Sequence, residues 1–312
     1  MKLAEIFTDN MVLQANKPIR IFGTGAGKVE INFDGEIYSE TFEGEKWVTE
    51  LPSRDYGGKY TLGIKLNDKK ITLKNVTFGD VFLFAGQSNV QFTIAEENPR
   101  EKSFTRKDVR YYVQDRLEKH DGLHSADGWR ISGDGTTDKW SALGYHFAVG
   151  YNEKKKVSTG VVGCFQGASV IRSWLPKELL DDEVYLPPDK MHGDYTAEVW
   201  SAWNGDSKLF GHTFLPVAPF AFKGVLWYQG ESDTTVWEGK IYKKFLSRLV
   251  KGWRNALRDE ELPFLIVGIC DLDYRDDEGW HSIQRAQKEF AEESENVGFI
   301  SSSDVCAHFD IH

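Results

Sequence analysis

The run Val81-Phe82-Leu83-Phe84-Ala85 leads straight into Gly86-Gln87-Ser88-Asn89. A short, continuous apolar run reads as a strand buried on both faces, the kind found in parallel sheets. Ligands of open α/β sheets bind just beyond the carboxyl ends of such strands. Gly86, two residues ahead of Ser88, permits a tight turn there, and Ser88 is then placed like a nucleophile. A serine in this position also serves as a helix cap, its hydroxyl accepting a backbone N–H. Three further segments weigh on the choice.

Beyond Gly79 the pattern alternates. Val157 to Phe165 predicts a strand and Ser169 to Leu175 the opening of a helix. Phe222 to Tyr228 predicts another strand. Lys240 to Leu257 spaces Ile241, Phe245, Leu249 and Trp253 four apart, an amphipathic helix. Phe264 to Cys270 and Val297 to Ser301 read as strands, with Ser141 to Asn152 and His281 to Glu293 as helices. This alternation predicts a parallel sheet with helices on both faces. Residues 95 to 139 and 181 to 206 are polar and poorly periodic, and read as long loops at the site rim.

Residues 1–77 read differently. Lys17 to Gly23, Lys28 to Phe33, Lys59 to Lys65 and Lys70 to Lys74 alternate with a period of two, separated by turn residues. Short strands of this kind predict a small antiparallel β domain, sandwich-like, ahead of an α/β domain at 78–312.

The 312 residues carry a net charge of −10, with 40% hydrophobic and 28% charged residues. This argues against nucleic acid or an anionic membrane as partner, since both select basic patches. No apolar stretch of ~18 residues predicts a membrane span. Cys164, Cys270 and Cys306 are odd in number and irregularly spaced, giving neither a disulfide framework nor a zinc pattern. Free buried thiols are expected. The start, Met1 to Glu5, lacks the apolar core of a signal peptide, so a cytoplasmic location is expected, with a periplasmic or secreted parent left open.

Four segments carry chemistry. The first holds Ser88. The second, Gly163-Cys164-Phe165-Gln166-Gly167-Ala168-Ser169, turns from a strand and offers backbone N–H groups to an oxyanion. In the third, Val225 to Asp233, Gln229 offers an amide N–H and Glu231 an acid that can hold a histidine. The fourth is Phe309-Asp310-Ile311-His312. Acyl transfer from a hydroxyl needs an oxygen, a base, an acid to orient the base, and oxyanion donors. Ser88, His312, Asp310 or Glu231, and Gly167 with Gln229 supply one candidate each. Taken singly, these are also a cap, a terminal histidine, a solvated acid and an ordinary turn. His308 and His312, four apart, suit a metal only on a helix, and this segment reads as loop.

Gly86-Gln87-Ser88-Asn89, the Val225–Asp233 segment and Asp310-Ile311-His312 resemble the signature blocks of the sialate O-acetylesterase family, within the SGNH hydrolase superfamily of carbohydrate acetylesterases. Phe7 to Gln14 and Lys17-Pro18-Ile19 resemble the opening of that family's N-terminal β domain. Gln166-Gly167-Ala168-Ser169 with Trp174 resembles its second block more loosely. The resemblance implies a flavodoxin-like three-layer α/β/α esterase domain that removes acetyl groups from sugars without a cofactor or metal. It implies Ser88 as nucleophile, His312 as base, and Gly167 and Gln229 as oxyanion donors. Asn89 falls at the substrate, and Arg172 is a weaker candidate for a substrate carboxylate.

The superfamily places its acid three residues before the histidine. Here that position is Phe309, so Asp310 is placed first and Glu231 is its rival. Members continue past the histidine with a proline and a closing helix, whereas this chain stops at His312. A loosely held base is therefore expected. The expected partner is a small acetylated carbohydrate, with oligomeric state open. Acetylated xylan is the alternative substrate, and a non-catalytic carbohydrate-binding protein is the alternative of another class.

Overall fold

A computed structural model describes residues 1–97, 106–180, 202–275 and 277–312. The chain has a mixed α/β fold built on a large mixed sheet. Three short strands, β1 (Lys2–Leu3), β3 (Ile19–Thr24) and β6 (Lys46–Leu51), form a separate antiparallel sheet. β4 (Gly27–Phe33), β5 (Glu36–Phe42) and β7 (Gly57–Leu66) pair antiparallel and hand over to β8 (Lys69–Gly86). In β4, Val29, Ile31 and Phe33 are buried and the residues between them are not, as a half-buried strand requires.

β8 carries the architecture. Its 18 residues run unbroken through positions 77 and 78, where a domain boundary was expected. Its first half pairs with β7 and with β2 (Val12–Gln14). Its second half lies in a row of parallel strands: β9 (Val109–Val113), β11 (Thr159–Phe165), β8, β12 (Gly224–Tyr228), β13 (Phe264–Val267) and β14 (Val297–Ile300). β10 (Arg130–Ile131) closes the β9 edge antiparallel. Asp80, buried midway along β8, accepts hydrogen bonds from Gln14 at 2.9 Å and from the Tyr56 and Tyr151 hydroxyls at 3.2 and 2.8 Å. It thereby ties the early strands to a helix of the later part.

Successive β8 side chains serve opposite faces. Leu83 and Ala85 join a large apolar cluster with Trp174, Trp227 and Trp253; Phe84 joins a second with Tyr111, Trp140 and Leu226. α1 is the single turn Ser88–Gln91 after β8. α2 (Ala142–Lys155) packs on the second cluster, its N-terminus capped by Ser141 Oγ accepting the Gly144 N–H. α3 (Val236–Ala256) begins with a reciprocal Thr235–Glu238 capping box and buries Tyr242, Phe245, Leu249 and Trp253 on one face. α4 (Glu278–Glu293) is capped by Asp277 and packs beside α3. Trp253 is fully buried against Trp174, Trp227 and Phe214; truncating it to alanine would cost about 3–5 kcal/mol.

Two expectations are corrected here. The segment 95–139 is not a structureless loop, because β9 within it is a fully buried strand of the parallel sheet. Arg110 masks it in the sequence. Its guanidinium is buried and donates to the carbonyls of Asn10 and Asn75 at 2.7 and 2.6 Å. Ser169 to Leu175 does not open a helix; only the 3₁₀ turn Ile171–Trp174 forms. The Val170 and Ile171 N–H groups go instead to Asn204 Oδ1 and Asp233 Oδ2, and Pro176 follows. Most of the second expected loop, residues 181–201, lies outside the described residues.

Candidate active site

The site is set by register. Phe165 at the end of β11, Gly86 at the end of β8 and Tyr228 at the end of β12 are direct neighbours across three parallel strands. The segments bearing Ser88, Gly167 and Gln229 therefore leave the sheet side by side. The Gln87 N–H donates to Tyr228 O at 3.0 Å and the Gln166 N–H to Gly86 O at 3.0 Å, fastening the turns together. Gly86 adopts φ +139°, and a Cβ there would lie 1.9 Å from Tyr228 O. Only glycine permits this close approach.

Ser88 heads α1 and is half-buried. The cap of that turn is Gln87, which makes no side-chain capping bond, so Ser88 is not spent as a cap. No hydrogen bond of its hydroxyl occurs among the described residues. One residue on, Asn89 Nδ2 donates to Glu231 Oε1 at 2.6 Å. Glu231 is buried, and among the described residues its Oε2 has no partner. Burial, opposed by its hydrogen bonds with its own backbone and Asn89, pushes its carboxyl up to about 7.

His312 returns to this neighbourhood through the tail. Its ring stacks on Phe92, the residue that ends α1, with centroids 5.9 Å apart and planes 13° apart. Among the described residues no hydrogen bond reaches its ring nitrogens. Asp310 does not hold the ring: its Oδ1 accepts the His312 backbone N–H at 3.1 Å, and both residues are exposed. Neither rival acid contacts the imidazole.

The Gly167 N–H faces the Ser88 turn, where it donates to Gln91 Oε1 at 2.8 Å. Gln91 was not foreseen. Its one signal in the sequence is its place a turn after Ser88, on the same side of any helix that starts there.

Gln229 is corrected as an oxyanion donor. It is fully buried, and its amide donates both to Ser169 O at 2.8 Å and to Asp233 Oδ2. Its Oε1 accepts from the Tyr242 hydroxyl at 2.8 Å. No N–H is left for a substrate, and the side chain instead braces the second and third segments. Arg172 is likewise corrected as a substrate contact. Its guanidinium is buried and binds both carboxylate oxygens of Asp206, at 2.8 and 2.7 Å.

Among the described residues no group of three or more His, Cys, Asp or Glu side chains is placed to hold a metal ion, and no helix is long and apolar enough to cross a membrane.

A profile of the carbohydrate esterase family described as sialic acid-specific acetylesterase matches residues 78–312. The chain belongs to that family. Human sialate O-acetylesterase is 26% identical over 287 residues, covering 82% of this chain and 53% of its own length. The enzyme of the same name from Rattus norvegicus is 24% identical over 259 residues, covering 67% and 46%. The chain thus spans about half the length of the curated relatives it matches. A crystal structure of a carbohydrate acetylesterase from Xanthomonas citri superposes with a TM-score of 0.84 at 22% identity, covering all of this chain and 71% of that one. This family member therefore shares the fold of that structure.

Proposed function

We propose that this chain is the esterase part of a carbohydrate O-acetylesterase that cleaves acetyl esters on sugars through an acetyl-Ser88 intermediate. What carries the reading is the register of Phe165, Gly86 and Tyr228, which delivers the Ser88, Gly167 and Glu231 segments to one sheet edge in a member of this family. We assign residues 78–312 to a flavodoxin-like three-layer SGNH hydrolase domain and residues 1–77 to an N-terminal antiparallel β domain, fused along β8.

In the proposed reaction Ser88 Oγ attacks the acetyl carbonyl while His312 takes its proton. His312 passes that proton to the departing sugar oxygen. Water then attacks the acetyl-serine while His312 takes a proton from it, and His312 returns that proton to Ser88 Oγ as acetate leaves, restoring the serine. The Gly167 and Ser88 N–H groups receive the oxyanion, and the substrate oxygen displaces Gln91 Oε1 from Gly167. We assign the triad acid to Glu231 over Asp310. Glu231 is the carboxylate beside the nucleophile's turn with an oxygen still unpaired, whereas Asp310 is engaged by main chain. The Asn89 amide holds that carboxylate in place.

Acetylated sialic acid is the proposed substrate, following the relatives' names, and acetylated xylan is its competitor. Acetate release from both classes, measured for the chain and for Ser88→Ala, tests the reading. Release from the sialic acid ester that disappears in Ser88→Ala supports it. Sugar binding with no acetate release would favour a non-catalytic carbohydrate-binding protein.

A further inference from the structure

A cavity of about 410 Å³ opens between the small antiparallel sheet, the end of β9 and residues 211–218. Its size falls within the roughly 300–1,000 Å³ of small-molecule sites. None of its lining residues belongs to the segments that carry Ser88, Gly167 or Glu231. Leu3, Phe22, Leu215 and Pro216 give it an apolar wall. Lys2, Thr24 and Lys46 also line it, and they are lateral neighbours across β1, β3 and β6, so their side chains share one face of that sheet. Glu5, the one acid in the lining, is already engaged: it accepts from Lys2 Nζ at 3.1 Å and from the Ser125 hydroxyl at 2.7 Å. Lys46 has no carboxylate partner among the described residues. One positive charge is therefore left over in this cavity, in a chain whose net charge is −10. At the buried end stands Gln114, 5% exposed. The Tyr112 hydroxyl donates to Gln114 Oε1 at 3.0 Å and so fixes the orientation of the amide. Gln114 Nε2 then has no acceptor among the described residues, which is rare for a buried amide. At the mouth, Gly211 is exposed, and a Cβ built on it would meet nothing within 4 Å.

We propose that this cavity is a second binding site, apart from the ester-cleaving edge, and that it takes an acidic sugar. The sugar carboxylate sits over Thr24 and accepts from Lys46 and Lys2. A second oxygen of the sugar accepts from Gln114 Nε2, and the C–H face of the ring lies on Leu215 and Pro216. The free groups of the lining are donors, which selects a ligand rich in acceptors and negatively charged. The apolar wall selects a ring with an apolar face over a bare inorganic anion. That the organic anion is a sugar rests on the esterase reading; that the cavity takes an organic anion does not. A chain so equipped holds acidic carbohydrate through a contact that plays no part in breaking the ester.

The test is amide hydrogen exchange of the chain titrated with free N-acetylneuraminic acid, a carboxylated sugar, and with neutral N-acetylglucosamine. The acidic sugar should slow exchange across residues 2–5, 22–24 and 210–215, and the neutral one should not at the same concentration. Gly211→Leu fills the mouth where no neighbour stands and should abolish this protection. Lys46→Gln fills nothing, and should raise the concentration needed for half-protection by roughly threefold or more. A chain that binds in this way yet releases no acetate from any ester sinks the esterase reading and leaves the site standing. No protection of these segments, or protection confined to residues 86–91 and 166–169, overturns the second site. So does protection that either substitution leaves unchanged. Equal protection by N-acetylglucosamine overturns its selectivity for an acid.

Discussion

Asn89 Nδ2 and Glu231 Oε1 meet at 2.6 Å, joining the residue after Ser88 to the segment that leaves the neighbouring strand β12. The bond ties a buried, half-satisfied carboxyl to the Ser88 turn. Folding raises this carboxyl from 4.5 to about 7, chiefly through burial. A carboxyl raised by folding favours the folded state below its unfolded pKa, and that advantage is lost as pH climbs through the folded value. Glu231→Gln should therefore be close to neutral at pH 4. Above pH 7 it should stabilise the chain by up to about 3 kcal/mol. Urea unfolding at both pH values checks this; equal shifts would mean that the carboxyl is not raised by folding.

The choice of acid is separable by activity. If Glu231 orients His312, Glu231→Ala should lower kcat by roughly 10²-fold or more while Asp310→Ala changes it only a few-fold. The reverse order restores Asp310 as the acid. With Glu231 in that role, kcat should rise with pH through about 7 as the carboxylate forms.

Gln91 offers the Gly167 N–H an internal acceptor at 2.8 Å, so in the proposed reaction it competes with the substrate oxygen for that donor. Removing it in Gln91→Ala should raise kcat/KM a few-fold, in line with a net hydrogen bond of about 1 kcal/mol. Inhibition by an oxyanion analogue such as a boronate should strengthen by the same factor. A fall in both would show that Gln91 supports the turn and does not obstruct the donor.

Gln229 bonds Ser169 O, Asp233 and Tyr242 from a fully buried position. Truncation to alanine strands these partners. Gln229→Ala should cost roughly 2–4 kcal/mol of stability, read as a lower urea midpoint. The folded fraction should keep kcat within about tenfold of the parent. A loss near the 10²–10³ expected for an oxyanion donor, with stability intact, would return Gln229 to the oxyanion site.

The parallel core was legible because its strands are buried on both faces and so read as unbroken apolar runs; Val81 to Ala85 and Phe264 to Val267 are cases. β9 was not, because Arg110 interrupts the run and is paid for by backbone carbonyls that come from residues 10 and 75, far away in sequence. The turns that bring the Ser88 and Gly167 segments to one sheet edge were legible from strand-then-glycine patterns. The role of Gln229 was not, since an amide beside a strand end looks alike whether it faces substrate or braces the fold. The decisive partners, Ser169 and Tyr242, lie on other elements. Gln91 escaped for the same reason: its meaning comes from Gly167, which folding alone brings near. The boundary expected at residue 77 reflected a real change in pattern, but the backbone crosses it in one continuous strand.

The most direct test of the central claim is where a serine-reactive fluorophosphonate attaches, read by peptide mass mapping. The account predicts a single modified residue, Ser88, with labelling slowed at least ~10²-fold when His312 is replaced by alanine. Labelling elsewhere, or labelling of Ser88 at the same rate without His312, would contradict it.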